Sequence, residues 1–169
     1  KAGSGMSRSV RTATSTDVEF AGVVQGGRFR DQQQHWELVI PEGWIARPGS
    51  ESSPLRVTLE QVGTGTHLEV WTYSGTDLTP RRRERCNWTF VDEGHFAVLP
   101  QELNPIQTAT CVPEEPRSDR LFAYMVAVRG RSHHFEIHVP TDALVEGKSA
   151  GEAVIQGMSW PTTPAAGER

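Results

Sequence analysis

Leu121-Phe122-Ala123-Tyr124-Met125-Val126-Ala127-Val128, then Arg129-Gly130-Arg131, then Ser132-His133-His134-Phe135-Glu136-Ile137-His138-Val139 is the stretch that decides the fold class. Its first run is apolar at both odd and even positions, as expected of a central strand covered on both faces. Its second run alternates. His133, Phe135, Ile137 and Val139 fall on one side, and His134, Glu136 and His138 on the other, which is the period of a strand. A short Gly-containing turn between them makes the pair an antiparallel hairpin.

Working outward, Leu55, Val57 and Leu59 alternate with Arg56, Thr58 and Glu60, and after Gly63-Thr64-Gly65 the chain resumes with Leu68, Val70, Trp71 and Tyr73. This predicts a second hairpin. Trp36, Leu38 and Ile40 form a further strand that stops at the turn Pro41-Glu42-Gly43-Trp44, and 106–112 reads as another. Two helices are expected. Ser149-Ala150-Gly151-Glu152 fits a capping box, and beyond it Ala150, Ala153, Val154, Gly157 and Met158 share one face. The other starts at Thr79, with Pro80 at the first helical position where its missing donor costs nothing, and runs to about Trp88. The expected fold is α+β: a single domain with a mainly antiparallel twisted sheet and two short helices packed on it. A flexible tether (1–16), the sheet-rich domain (17–160) and a tail (161–169) divide the chain.

With 169 residues the chain is long enough for one core without metals or several disulfides. Hydrophobic residues at 36%, with 16 Gly and 11 Pro, favour strands and turns over long helices. A net charge of −4 gives no positive field for a phosphate backbone, so nucleic acid is set aside. No run approaches the length needed to span a bilayer. The tether is made of Gly, Ser, Thr, Ala and Arg and has little to bury. Lys1 to Gly5 reads as an expression scar ahead of a start at Met6, or the whole Lys1 to Thr16 segment as the mature end of an exported or lipid-anchored precursor whose acylated cysteine is missing here. If such tails are ordered, a partner must order them.

The two cysteines, Cys86 and Cys111, have no CxxC spacing and no neighbouring histidine. One Cys86–Cys111 disulfide in an oxidising compartment is expected, two buried thiols being the alternative. His134 and His138 share the outward face but lie about 13 Å apart along a strand, too far for one ion. A metal site there would need His134 or His138 with Glu136 and a donor from the next strand. The expectation is a polar, solvated face, with no metal and no cofactor. Arg81, Arg82, Arg83 and Arg85 gather where a helix macrodipole is positive, and are read either as locally paired with Glu84 or Asp77 or as a basic contact patch. Any exposed member of Trp36, Trp44, Trp71, Trp88 and Trp160 would add to a contact surface. There is no GxSxG, HExxH, P-loop or dinucleotide fingerprint, so no enzyme is expected.

From Trp36 onward the layout resembles the Mog1/PsbP-like domains. The resemblance rests on the strand ending Pro41-Glu42-Gly43-Trp44, the helix expected near Thr79 to Trp88, the Leu121 to Val139 hairpin, and the terminal helix ending Met158-Ser159-Trp160. It implies an α/β/α sandwich and a non-catalytic accessory or assembly role, here within a larger extracytoplasmic complex of proteins. A periplasmic small-molecule or ion-binding module is the alternative.

Overall fold

The computed structural model describes residues 19–81, 86–90, 106–113 and 119–161. The 1–16 tether and most of the 161–169 tail therefore lie outside the described residues. The large sheet has seven antiparallel strands: β4 (Trp44–Pro48), β5 (Leu55–Gln61), β6 (His67–Ser74), β10 (Arg131–Pro140), β9 (Asp119–Val128), β8 (Ile106–Pro113) and β7 (Cys86–Phe90), in that spatial order. The small sheet has four: β1 (Gly22–Gln25), β2 (Arg28–Asp31), β3 (Glu37–Val39) and β11 (Met158–Ser159). Among the described residues there is one α-helix, α1 (Leu144–Gln156), which follows a 3-10 turn at Thr141–Ala143.

Both expected hairpins form. β9 and β10 pair from Asp119↔Pro140 to Val128↔Arg131. Arg129 and Gly130 both take positive φ, 50° and 74°, the conformation that matches a two-residue turn to the twist of the strands. β5 and β6 pair with Leu59 opposite Leu68, and a bulge between Leu55 and Val57 turns Arg56 inward. Buried there, Arg56 places Nε 2.6 Å from Asp31 Oδ2 and donates to the carbonyls of Ala21, Glu51 and Ser53. This pair ties the small sheet to the large one.

One face of the large sheet carries Val57, Leu59, Leu68, Val70, Tyr124, Val126, Phe135, Ile137 and Val139, and against it pack Phe29, Trp36 and Leu38 of the small-sheet region and Val154 and Ile155 of α1. Small sheet and helix thus cover the same face. The α/β/α sandwich is not seen: among the described residues no helix lies on the opposite face, which has a smaller cluster of Ala109, Ala123 and Met125 with Leu78 and Trp88 against it.

Three details correct the sequence reading. The expected Thr79 to Trp88 helix is not seen among the described residues: Cys86–Phe90 is a strand paired with β8 and Thr79 to Arg81 is irregular. Aromatic and β-branched residues at Trp88, Thr89 and Phe90 suit a pleated surface better than the Pro80 signal suits a helix start. α1 begins at Leu144 rather than at Ser149, so the Ser149/Glu152 pattern sits inside the helix and caps nothing. Its buried positions are Gly147, Gly151, Val154 and Ile155, while Ala153 is exposed. The two glycines let the helix approach closely: a Cβ on Gly151 would lie 2.6 to 2.9 Å from three Ile137 side-chain atoms.

Candidate functional site

On the face turned away from α1, β6 presents His67, Glu69, Trp71 and Tyr73, and β10 presents His134, Glu136 and His138. The antiparallel register sets Glu69 opposite Glu136 and His67 opposite His138. The reason is legible in the chain. His67-Leu68-Glu69 and Glu136-Ile137-His138 are mirror images, and antiparallel pairing superimposes them as a square of two histidines and two carboxylates. His138 Nε2 lies 2.8 Å from Glu69 Oε2 and 3.7 Å from Glu136 Oε2, and His67 Nε2 lies 3.9 Å from Glu69 Oε2. The two imidazoles stack, with centroids 4.1 Å apart and planes at 14°.

The β10 side of the square is buried and the β6 side, His67 and Glu69, is half-buried. Glu136 is 1% exposed, His134 3% and His138 8%, which overturns the expectation of an open polar face. Covering comes partly from the segment after β6. Leu78 packs on the apolar end of this face, Arg81 lays its guanidinium 3.3 Å over the Trp71 ring, and Trp88 Nε1 donates to the Arg81 carbonyl at 2.9 Å. Arg81 Nη1 stands 3.7 Å from Glu136 Oε1. Beyond it His134 meets the Tyr73 ring edge-on, at 5.1 Å between centroids.

The protonation behaviour follows from this geometry. Burial works against charge on His138, but the hydrogen-bonding and negative charges of Glu136 and Glu69 outweigh it, and its pKa is raised. His67 is lowered, by burial first and then by the charge of His138. His134 is lowered, chiefly by burial. His138 is thus the histidine of this face that holds its proton most firmly.

The residues singled out in the sequence are distributed as follows. Arg81 is not part of an open basic patch, since its guanidinium is turned onto Trp71 and Glu136. Asp77 does not pair with it either: its carboxylate accepts from the Thr79 amide at 2.8 Å. Arg82, Arg83 and Arg85 lie outside the described residues, as does the Cys86 side chain. On the backbone Cys86 faces Pro113 and Cys111 faces Trp88, so the two cysteines are diagonal neighbours on paired strands, and no free cysteine is found among the described residues. Every tryptophan is buried or half-buried. Among the described residues the exposed large apolar side chains are instead Phe20, Val23, Val24, Val39, Ile45, Val62 and Val145. A separate polar cleft of about 330 Å³ opens among Gln33, Glu51, Arg56, Thr72, Tyr73 and Arg131.

No helix among the described residues is long and apolar enough to cross a membrane. No family model matches the chain, and no curated protein does. Its fold is similar to the solution structure of cyanobacterial PsbP (CyanoP) from Synechocystis sp. PCC 6803, with a TM-score of 0.54 and 17% sequence identity, over 89% of this chain and 99% of that one. At that identity the likeness concerns the fold, which is PsbP-like, as the layout of strands from Trp36 onward implied.

Proposed function

We propose that this chain is a non-catalytic accessory subunit that binds a protein partner within an assembly outside the cytoplasm. The observation that carries the reading is the apolar surface at the seam of the two sheets. Ala21 N–H donates to the Gly49 carbonyl and Phe20 bridges to Ser50, which brings the start of β1 beside the end of β4. The two segments that meet there leave Phe20 (54%), Val23 (46%), Val24 (44%) and Ile45 (47%) exposed. Among the described residues both β1 and β4 are edge strands of their sheets. Apolar side chains on an open edge are the chemistry of a partner interface rather than of a diffusing monomer. The PsbP-like fold supports the reading by analogy, and a Cys86–Cys111 disulfide would suit the proposed compartment.

A photo-crosslinking residue at position 23 or 45 tests this in the native source. A discrete adduct from these positions, absent from position 145 on the exposed side of α1 and lost on Val24→Asp, is the expected result. Equal capture from all three positions, or none, overturns it. The ion-binding alternative is favoured by one observation, the histidine–carboxylate square.

A further inference from the structure

We propose that His67, Glu69 and His138, with Glu136 beside them, form a binding site for one divalent transition-metal ion of the zinc class. The proposal develops the ion-binding reading and is independent of the partner interface, which lies at the seam of the two sheets and not on this face.

The donor set is right in kind and spacing. Two imidazole nitrogens and a carboxylate oxygen are the ligands that zinc and its neighbours take in open, water-retaining sites. The candidate ligand atoms of His67, Glu69 and His138 all lie within 4.8 Å of one another. A tetrahedral ion with bonds of about 2.0 to 2.1 Å holds its ligands roughly 3.3 to 3.4 Å apart. The observed separations of 2.8 and 3.9 Å from Glu69 Oε2 bracket that value, and on binding the stacked imidazoles would turn out of their near-parallel planes so that both lone pairs meet one ion. Glu136 Oε2, 3.7 Å from His138 Nε2, is placed to ligate or to orient a bound water.

Electrostatics point the same way. Like charges directly opposite on paired strands repel, and here two carboxylates face each other on the buried side of a sheet. Among the described residues Arg81 stands 3.7 Å from Glu136 and is also engaged by the Trp71 ring. His138 Nε2 is buried and aimed into the square, 2.8 Å from Glu69 Oε2. The rival is a purely structural ion-pair cluster in which protonated His138 is the counterion.

The two differ in what the purified full chain does with metal. After chelator treatment and dialysis, titration with zinc chloride against a chromogenic competitor should show one ion bound per chain. Cobalt(II) in its place should give visible absorption bands from nitrogen and oxygen ligands. Glu69→Gln, which keeps shape and folding, should weaken zinc binding by at least about tenfold, and His67→Asn similarly. Circular dichroism on each variant separates loss of the site from loss of the fold. No zinc bound above a serum-albumin-free blank, or binding unchanged in folded Glu69→Gln and His67→Asn, leaves the structural cluster and overturns the proposal. Loss of crosslinking at positions 23 and 45 would bear on the partner reading alone.

Discussion

Acidification should unfold this domain through His133, on the helix side of β10. Its ring is 2% exposed, its Nδ1 lies 3.0 Å from Thr72 Oγ1, and Trp160 meets it edge-on at 4.8 Å. Burial is the main cause that pushes its pKa down to about 4, against an attraction from Asp31 and with further lowering by His134 and Arg131. The folded state therefore holds the neutral ring while the unfolded chain takes up a proton near pH 6.5. A depressed pKa gives stability that is fully present above 6.5 and is lost as pH falls from there toward 4. The shift from 6.5 to about 4 corresponds to about 3 kcal/mol, order of magnitude, a large part of the stability of a domain this size.

His133→Gln isolates the effect, since glutamine does not titrate and still offers Thr72 a polar partner. Urea unfolding followed by tryptophan fluorescence, at steps from pH 7 to pH 4, gives the two stability curves. The native protein should lose about 3 kcal/mol more than the variant across that window, with the difference approaching about 1.4 kcal/mol per pH unit at its steepest. His67 and His134 are lowered and His138 raised, but these act in both proteins. Parallel curves would refute the reasoning and would mean that His133 charges in the folded state at little cost.

Gly151→Ala should destabilise by about 1 to 3 kcal/mol, despite alanine's better helix propensity, because the new methyl group meets Ile137; a rise in thermal midpoint would show that α1 can lift off the sheet freely. The Cys86–Cys111 pair should appear as a disulfide-linked peptide in non-reducing mass spectrometry, and reduction should cost roughly 3 to 4 kcal/mol; two alkylatable thiols in the native protein would refute it.

What the sequence revealed depended on how local the information was. The β9–β10 hairpin was legible because parity alone separates Phe135, Ile137 and Val139 from His134, Glu136 and His138, and Arg129-Gly130 supplies the turn. The Thr79 segment was misread because a proline after threonine looks the same at a helix start as in an irregular stretch. What decided it was the pairing of Trp88 with Cys111, which is long-range. Ser149 and Glu152 have the spacing of a capping box, yet Glu152 accepts from the Tyr124 hydroxyl at 2.8 Å on the sheet instead. The site was half visible. Parity placed Glu136 and His138 together and called for a donor from the next strand, but only the register of β6 shows that the donors are Glu69 and His67.

The neighbouring strand shows why the square calls for more than a structural account. On the same face β9 presents Leu121, Ala123 and Met125, apolar residues that cover the sheet at no electrostatic cost. β10, paired to it residue by residue, presents His138, Glu136 and His134 at the matching positions. Each ionised group there gives up solvation worth several kcal/mol, and replacing such buried ion clusters by apolar side chains often leaves a fold equally or more stable. Ala123 and Ala109 keep the space beside Glu136 small-walled, and a larger aliphatic residue at Glu136 would extend the cluster around Met125. The stable solution was thus available one strand away. Ionisable residues at this position are costly unless their charges are answered; His138 and Arg81 answer part of the carboxylate charge from within the protein, and the proposed divalent cation would add to that answer in a way the apolar row cannot.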